Sequence, residues 1–359
     1  MAILVTGATG FLGSHLVAGL LARGHRLVLL VRAADAAAGR RRVGEALAKI
    51  GTRLDDAHDV TVCIGALEAP GLGLCAEDRE LITAHCEAIL HCGASVRFDL
   101  SLEDARAVNV EGTRQLLALA RERIRRAPLR RFDYVSTAFV AGARTDLVYE
   151  HELNGYGGHR NSYERSKYEA EQLLRQSARQ LPIAVFRPAI VIPSAAPSGR
   201  SPIHWPARVY ASGLWRICPG RPDTPIDLVP VAFVRDAILA LRETDASTGR
   251  TYHLAAGDTG AITLGEAAEL VREMLGAPKP LRFVPPGPWM RFVHPLLRCI
   301  PLPRIQRIVR HGQHYVPYFT ANPRFNTAVA RAALAAAGVP APSSRAALRD
   351  FMGFERCAG

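Results

Sequence analysis

Residues 3–13, ILVTGATGFLG, place a short apolar run directly before three glycines in a fixed spacing. The run predicts a buried strand, Ile3–Thr6, and the residues after it predict a helix. In this order Gly7 permits a tight turn, Gly10 lets the backbone approach a pyrophosphate held by the helix N-terminus, and Gly13 lets the helix pack closely. We therefore predict a dinucleotide site at this junction. The residues expected to contact the dinucleotide here are Thr6, Gly7, Thr9, Gly10, Phe11, Leu12 and Gly13.

The rest of the first half alternates short apolar runs with helical stretches, which is the pattern of a parallel sheet covered by helices on both faces. The predicted strands are Ile3–Thr6, Arg26–Arg32, Asp59–Ile64, Ala88–His91, Phe132–Ser136 and Ile183–Arg187. The predicted helices are Leu12–Arg23, Gly39–Ile50, Asp78–His85, Leu102–Arg126 and Ser162–Gln180. This order predicts an α/β protein with a doubly wound parallel sheet of the Rossmann type.

The second half is divided between that sheet and a smaller lobe. Residues 193–225 are rich in Pro, Ser, Gly and Trp, which predicts loops on the substrate side. The elements predicted after residue 226 are a strand at Asp227–Val231, a helix through Leu241, a strand at Arg250–Leu254, a helix from Leu264 and an Ala-rich helix near Arg324–Ala337. We expect residues 1–192 to form mainly the dinucleotide-binding domain, with 226–262 returning to it. Residues 193–225 and 263–359 are expected to form the C-terminal substrate-binding lobe.

The composition is that of a folded protein: 359 residues, 48% hydrophobic and 22% charged, which excludes a disordered or fibrous chain. The formal net charge of +12 is unevenly spread, because eleven arginines and only Asp350 and Glu355 follow residue 280. This segment has no zinc-finger spacing and no RNA-binding aromatic motif, so we expect no nucleic-acid partner. An anionic ligand or partner, or contact with a membrane surface, stays compatible with the charge. The oligomeric state is left open.

The seven cysteines are odd in number and form no Cys-x-x-Cys pair. They predict free thiols, with neither a disulfide framework nor a metal site. His311 and His314 also lack a third ligand at metal-binding spacing. Residues 2–22 carry no formal charge, but their spaced glycines and the lack of a basic leading segment argue against a signal peptide or a membrane span. We therefore expect a cytoplasmic protein without a spanning helix.

The end of the second predicted strand bears on the choice of dinucleotide. An acidic residue there hydrogen-bonds the ribose hydroxyls of NAD, whereas an arginine suits the 2′-phosphate of NADP. The strand ends at Arg32, and Arg40, Arg41 and Arg42 follow in the next helix. We therefore predict NADPH as the cofactor, with Arg32 on its 2′-phosphate. Asp35 stays open as a ribose partner.

Tyr163 and Lys167 stand four residues apart in a predicted helix, so both side chains lie on one face. Tyrosine, with a usual pKa of about 10, is a poor acid–base group at neutral pH. A unit positive charge about 4 Å away, at an effective dielectric of about 20, supplies the energy to lower that pKa by about three. Lys167 is one of only three lysines among 45 basic residues, and arginine lacks its compact head group and tunable pKa. We therefore predict that the pair is catalytic.

A third catalytic group is expected where the fifth predicted strand ends, at Ser136-Thr137. A hydroxyl at that point can hydrogen-bond a substrate carbonyl or the oxyanion that hydride attack forms. We favour Thr137 over Ser136. The predicted catalytic set is therefore Thr137, Tyr163 and Lys167.

Together these residues resemble the extended short-chain dehydrogenase/reductase superfamily. Within it, the chain is similar to fatty acyl-CoA reductases and to the thioester-reductase domains, with male-sterility-type NAD-binding domains, of carboxylic acid reductases and peptide synthetases. The segments that carry the resemblance are HCGASVRFDLSLEDARAVNVEGTRQLLALA (91–120), FDYVSTAFVAG (132–142), NSYERSKYEAEQLL (161–174), FRPAIVIP (186–193) and DLVPVAFVRDAI (227–238). It extends over residues 1 to about 275. The chain departs from the family pattern at Ala66 and Ala232, where aspartate is common.

The resemblance implies NADPH-dependent reduction of an acyl thioester, carried by CoA or by an acyl or peptidyl carrier protein, to an aldehyde and in some members to an alcohol. It implies that Thr137 and Tyr163 hold the carbonyl oxygen, that Tyr163 supplies the proton, and that Lys167 binds the nicotinamide ribose and lowers the Tyr163 pKa. Further cofactor contacts are expected at Gly93, Ala94, Tyr163, Lys167, Arg187, Pro188 and Ile190. The arginines after residue 280 are expected to meet the anionic carrier.

Three other functions stay open at this point. One is oxidation or reduction of a small carbonyl or sterol-like alcohol by the same three residues. Another is epimerisation or dehydration of a sugar nucleotide, which favours tightly held NAD and against which Arg32 argues. The third is an NADP-sensing binding protein without catalysis, against which the complete pair of Tyr163 and Lys167 argues.

Overall fold

The helices and strands follow one another in the alternating order that the sequence predicts. The computed structural model describes residues 1–55, 58–194, 216–276 and 279–357. The strands are β1 Ala2–Thr6, β2 Arg26–Val31, β3 Val60–Ile64, β4 Ala88–His91, β5 Arg131–Val135, β6 Leu147–Val148, β7 Ile183–Pro188, β8 Ile190–Ile192, β9 Ile217–Pro219, β10 Pro225–Ile226, β11 Leu228–Pro230, β12 Thr251–Leu254, β13 Ile262–Thr263, β14 Arg282–Val284 and β15 Arg324–Phe325. The helices are α1 Phe11–Leu21, α2 Ala36–Ala48, α3 Ala76–His85, α4 Leu102–Arg106, α5 Gly112–Arg126, α6 Ser162–Ser177, α7 Val231–Arg242, α8 Gly257–Gly260, α9 Leu264–Leu275, α10 Pro286–Pro288, α11 His294–Cys299, α12 Pro303–Gly312, α13 Val316–Thr320, α14 Ala328–Ala336 and α15 Ser344–Cys357.

Seven of these strands form one parallel sheet in the order β12-β7-β5-β4-β1-β2-β3. Successive residues of β1, such as Ile3, Leu4 and Val5, are all fully buried, because helices cover both faces of the sheet. Ile3 and Val5 join the apolar cluster that contains α1 and α7, whereas Leu4 joins the cluster that contains α5 and α6. The predicted doubly wound α/β fold is therefore confirmed.

The strand order creates a crevice beside β1. From β1 the chain winds outward through β2 and β3 on one side, and through β4, β5 and β7 on the other. At such a switch point the loops after the two central strands separate and leave room for a ligand at the carboxyl edge of the sheet. The loops that border this crevice begin at Gly7 after β1 and at Cys92 after β4.

Several predicted elements of the first half have different limits in the structure. The second strand ends at Val31 and leaves Arg32 outside it. Helix α2 begins before the predicted Gly39, because the Asp35 carboxylate accepts a hydrogen bond from the Ala38 N–H at 2.7 Å and caps the helix. The helix predicted over Leu102–Arg126 is interrupted by a π-helical turn, Ala107–Glu111, where the Asn109 side chain is buried.

Two predictions for the second half need larger corrections. The strand predicted at Asp227–Val231 is the shorter β11, which pairs with β8 outside the seven-stranded sheet. The Ala-rich helix predicted from Arg324 begins at Ala328, because β15 first pairs with β6. The Glu150 carboxylate then accepts the N–H groups of Val329 and Ala330, at 2.7 and 2.9 Å, in the first turn of that helix.

Segments far apart in the chain build a third apolar cluster outside the main sheet. Ile192 and Leu228 belong to it, and so do Leu264 of α9 and Phe351 of α15. Strand β12, in contrast, pairs with β7 and forms an edge of the main sheet. The limits of the two lobes stay a prediction, and residues 195–215 of the predicted loop segment lie outside the described residues.

The cysteines whose surroundings the structure describes are free thiols: Cys63, Cys75, Cys86, Cys92, Cys218 and Cys299. Burial raises the pKa of Cys63 beyond its usual range, and that of Cys218 to about 12. Within the part of the chain that the structure describes, no helix combines the length and the apolar character needed to cross a bilayer.

Candidate active site

The glycine loop has the shape that a pyrophosphate needs. Gly7 adopts a φ of +73°, and an added Cβ there would lie 2.6 Å from the backbone nitrogen of Gly93. An added Cβ at Gly13 would lie 1.9 Å from the carbonyl oxygen of Gly7. Gly10 is the N-cap of α1 and brings no side chain to the N–H groups of the first turn. These residues therefore fit a nicotinamide dinucleotide, whose phosphates the helix N-terminus would hold.

Thr6 has a structural role at this loop that the sequence did not reveal. Its buried hydroxyl lies 2.7 Å from Nδ1 of His91 and accepts a hydrogen bond from the Gly93 N–H at 3.1 Å. The side chain therefore ties the end of β1 to the loop after β4 and is not free to contact a cofactor. Thr9, Phe11, Leu12 and, after β4, Ala94 are partly exposed. Their contacts with a cofactor stay a prediction.

Arg32 lies on the surface just beyond β2. Its side chain is 64% exposed and forms an ion pair with Glu68 at 3.3 Å. The Arg42 guanidinium donates to the Arg32 carbonyl oxygen at 2.6 Å, so these two arginines lie together. Arg40 turns away and donates to the carbonyl oxygens of residues 55 and 60. Asp35, which stayed open as a ribose partner, caps α2 with its carboxylate.

Helix α6 presents Tyr163 and Lys167 from its first two turns, after the Asn161 side chain has capped its N-terminus. The Lys167 ammonium is 2% exposed and donates to the Val135 carbonyl oxygen at 2.7 Å. It also lies 4.0 Å from the centre of the Tyr134 ring. Burial lowers the pKa of Lys167 to about 7. The pair therefore shares a helix face, with the lysine beneath the end of β5.

The Tyr163 hydroxyl differs from the expectation in one respect. Burial raises its pKa above the usual value, and the group that opposes this effect is the hydroxyl of Thr137, not Lys167. The reason is geometric, since the Lys167 ammonium bonds to the Val135 carbonyl. Tyr163 is thus protonated at neutral pH, and the structure brings its hydroxyl together with that of Thr137.

Thr137 and Ser136 have separate roles. The Ser136 hydroxyl donates to the buried carboxylate of Glu171, which leaves it no part in substrate binding. Thr137 caps a short 3₁₀ turn, Ala138–Ala141, and its hydroxyl accepts a long hydrogen bond from the Phe139 N–H at 3.3 Å. The Thr137 hydroxyl hydrogen can therefore point toward a substrate oxygen. This difference supports the choice of Thr137.

The structure corrects the role expected for the Arg187 side chain. Arg187 is fully buried in β7, and its guanidinium forms an ion pair with Glu171 at 2.7 Å. It also donates to the Glu152 carbonyl oxygen at 2.9 Å. This side chain cannot reach a bound cofactor because its donors are already used. Pro188, the last residue of β7, is buried, and Ile190, the first residue of β8, is partly exposed.

Two further aromatic rings, Phe98 and Tyr318, lie beside Tyr163, and the sequence did not predict them there. The Phe98 ring lies 6.0 Å from that of Tyr163, between ring centres, and 5.7 Å from that of Tyr318 in α13. The Tyr318 hydroxyl donates to the buried carboxylate of Glu164 at 2.6 Å. The C-terminal segment therefore packs beside the first turn of α6, which carries Tyr163. Nothing in the local sequence around residue 318 signals this contact.

A second set of polar residues lies beneath the loop after β4. Asn109, from the π-helical turn, accepts from the Ser95 N–H at 2.8 Å and donates to the Ser166 hydroxyl at 2.9 Å. The Thr113 hydroxyl lies 3.1 Å from Nε2 of His91. Asn109 and Thr113 belong to the Asn-Val-Glu-Gly-Thr motif, which is the signal in the sequence that could have placed them near the site.

A glycine-lined crevice at the carboxyl edge of a parallel sheet, with threonine, tyrosine and lysine around one end of it, defines an extended short-chain dehydrogenase/reductase. The chain belongs to one family of this class: residues 5–238 match the family model described as male sterility protein, an NAD-binding domain. The family is one of oxidoreductases with an NAD(P)-binding fold.

Individual relatives agree with this assignment. The chain is 30% identical over 288 residues to the fatty acyl-CoA reductase wat of Drosophila melanogaster, an alignment that covers 66% of this chain and 53% of that protein. It is 31% identical over 268 residues to the nonribosomal peptide synthetase asaC of Aspergillus flavus, covering 70% and 26% of the two chains. The chain thus spans about half or less of these curated relatives. The crystal structure of the terminal R domain from the myxalamid PKS-NRPS pathway superposes with a TM-score of 0.83 at 26% identity, covering 98% of this chain and 89% of that domain.

Proposed function

We propose that this protein reduces the carbonyl group of an acyl thioester to an aldehyde, with NADPH as the reductant. The observation that carries this proposal is the pairing of the Thr137 and Tyr163 hydroxyls at the buried end of β5, beside a crevice that fits the dinucleotide. Two neighbouring hydroxyls that both carry a proton can both donate to a developing oxyanion. The fatty acyl-CoA reductases and peptide-synthetase reductase domains among the relatives support the thioester as substrate.

When bound, the dinucleotide supplies a hydride to the thioester carbon. The Thr137 and Tyr163 hydroxyls hold the carbonyl oxygen, and Tyr163 transfers its proton to that oxygen as the new C–H bond forms. The hydroxyl of the resulting hemithioacetal then returns its proton to the Tyr163 oxygen as the C=O bond forms and the C–S bond breaks. This step releases the aldehyde, and the departing thiolate takes a proton from solvent to become a thiol. The buried Lys167 ammonium gives one hydrogen to the Val135 carbonyl oxygen, and another would bind the nicotinamide ribose. The raised Tyr163 pKa keeps the proton on the acid until the oxyanion develops.

The direct test is to incubate the protein with NADPH and acyl-CoAs of different chain lengths, and in parallel with acyl-loaded carrier protein. We expect NADPH consumption with at least one thioester, together with an aldehyde that a hydrazine reagent traps. Small ketones, aldehydes and sterol-like alcohols serve as the comparison. Turnover of those compounds with no NADPH consumption on any thioester would reject the proposal.

The preference for NADPH is the second part of the proposal. Arg32→Ala is expected to weaken NADPH binding by about tenfold to a hundredfold, because hydrogen bonds to a charged group contribute about 1.5–3 kcal/mol. NADH binding should stay within about twofold, since NADH lacks the 2′-phosphate. Fluorescence titration at low salt measures both dissociation constants. Arg26→Ala is the matched control, because Arg26 lies at the amino end of the same strand and pairs with Asp59. Equal losses for the two dinucleotides would contradict this role of Arg32.

The third part concerns the carrier of the acyl group. No acidic residue occurs between positions 274 and 349, and Arg291 and Arg298 are exposed there. Phe292 and Leu296, which are 61% and 70% exposed, lie between these arginines in the sequence. Their four-residue spacing on a helical stretch places both on one side, where they form an apolar surface. A basic surface with an apolar centre suits the phosphates and pantetheine of CoA or an acidic carrier protein.

Replacing both arginines with glutamate, Arg291→Glu with Arg298→Glu, is expected to raise the thioester KM at least about fivefold at low salt, because two favourable charges become repulsive. The kcat and the NADPH affinity should not change. In the unmodified protein the thioester KM should rise with salt, as screening weakens attraction between exposed charges. Arg125→Glu with Arg130→Glu, two exposed arginines in the last turn of α5 and just before β5, controls for the same change of four in net charge. A KM that depends on neither salt nor Arg291 and Arg298 would contradict a role in carrier binding.

A further inference from the structure

The carboxylate of Glu171 lies at the centre of a buried network under the catalytic residues. Glu171 stands one helical turn after Lys167 on α6 and is 2% exposed. Its Oε1 accepts hydrogen bonds from the Ser136 hydroxyl and, at 3.0 Å, from Nε of Arg187. Its Oε2 accepts from Nη2 of Arg187 at 2.7 Å. One carboxylate therefore joins α6 to two neighbouring strands of the sheet, β5 and β7.

Each partner of Glu171 adjoins a part of the proposed site. Ser136 directly precedes Thr137, and Arg187 directly precedes Pro188. Arg187 also bonds to the Glu152 carbonyl, which ties in the loop before α6. A buried charged pair with several hydrogen bonds leaves little freedom of movement, so it holds both strand ends in place. A shift at the end of β5 would move the Thr137 hydroxyl relative to Tyr163, and a shift at the end of β7 would move Pro188.

Among the described groups that face Lys167, Glu171 supplies the negative charge, because the others are neutral. His91 and Cys92 face it from the end of β4, and Tyr134 faces it from β5. Burial lowers the His91 pKa and raises the Cys92 pKa to about 12, so both side chains are neutral at pH 7. Tyr134 is also neutral, since burial raises its pKa.

On its own helix Lys167 has Tyr163 and Glu171, one turn away on either side. Tyr163 is protonated, because burial raises its pKa. Burial lowers the Lys167 pKa, whereas Cys92 and Glu171 raise it, and Cys92 carries no charge at neutral pH. Arg187, on the far side of Glu171, is the other charge of the network.

We propose that Glu171 is a positioning residue: its carboxylate fixes the strand ends that carry Thr137 and Pro188, and its charge balances that of Lys167. The inference about Thr137 rests on the proposed function, whereas the inference about Lys167 needs only dinucleotide binding. Ser136 and Arg187, which the sequence places near the site, act through the same carboxylate and do not touch substrate.

The test is the isosteric variant Glu171→Gln, measured by NADPH binding and by turnover across pH. In the unmodified protein, NADPH affinity should fall as the pH rises through the Lys167 pKa, which is about 7 in the free protein. Removing the anion leaves the buried ammonium near the positive Arg187, so Lys167 loses its proton at lower pH. We expect this fall in affinity to move down by at least about half a pH unit, and kcat to drop at least about tenfold with the thioester KM little changed.

Two further variants separate charge from position. Ser136→Ala keeps both charges, so it should lower kcat without moving the pH dependence of NADPH binding. Glu169→Gln, on the same helix, removes a carboxylate that pairs with Arg106 and Arg165 at the surface and should alter neither quantity. Circular dichroism and thermal melting check that each variant is folded.

The outcomes distinguish this inference from the proposed function. If Glu171→Gln keeps the unmodified pH dependence and a kcat within about twofold, the inference is overturned. If Glu171→Gln does not fold, Ser136→Ala decides the positioning role, and an unchanged kcat overturns it. If the pH dependence of NADPH binding moves but no thioester is ever reduced, the charge balance at Lys167 holds and the proposed function fails.

Discussion

Tyr163→Phe is expected to lower the kcat of thioester reduction about a thousandfold, within the range that a positioned general acid contributes. The substitution removes only the hydroxyl, so the ring keeps its contact with Phe98 at 6.0 Å between ring centres. NADPH affinity should change less than about threefold, because the glycine loop is untouched. Single-turnover measurements with excess enzyme, alongside NADPH titration, separate these two effects.

The matched control is Tyr168→Phe, five residues further along α6. The Tyr168 hydroxyl accepts a hydrogen bond from the Gln172 side chain at 3.3 Å, near the surface, and takes no part in the site. Turnover of this variant should equal that of the unmodified protein. If Tyr163→Phe retained more than about a tenth of the original kcat, another group would be the proton donor.

Gly13→Ala is expected to abolish measurable NADPH binding. An added Cβ would lie 1.9 Å from the carbonyl oxygen of Gly7, so the glycine loop and the first turn of α1 must separate. The Gly7 carbonyl oxygen is a backbone atom, so it cannot move aside as the end of a flexible side chain would. Separating the loop from the helix carries away the N–H groups that hold the phosphates. We expect an increase of at least about a hundredfold in the NADPH dissociation constant, with a melting temperature lowered by several degrees.

Gly44→Ala tests whether these losses belong to the loop or to glycine substitution in general. Gly44 lies within α2, and an added Cβ there meets no atom within 4 Å. Alanine has the higher helix propensity, so this variant should gain up to about 1 kcal/mol in the free energy of unfolding and bind NADPH normally. An NADPH dissociation constant of Gly13→Ala within about threefold of the original would rule out the close approach at the loop.

The features that were predictable from sequence share a local origin. The glycine loop is recognisable because its three glycines lie within seven residues, between a buried strand and a helix. Tyr163 and Lys167 are recognisable because a four-residue spacing places two side chains on one helix face. Boundaries were harder to predict, as at Ala328, where the capping carboxylate of Glu150 comes from a distant segment.

The sequence by itself determined the class of sheet, the dinucleotide loop and the tyrosine–lysine pair, because short-range periodicity and spacing encode each of them. The tertiary structure alone decided that Arg187 is a buried support and not a cofactor ligand, since its partner Glu171 lies on another element. It also decided that Tyr318 bonds to Glu164 of α6, from which it is separated by 154 positions in the chain. Contacts of this kind depend on strand order and on the docking of separate segments, and no local pattern of residues carries that information.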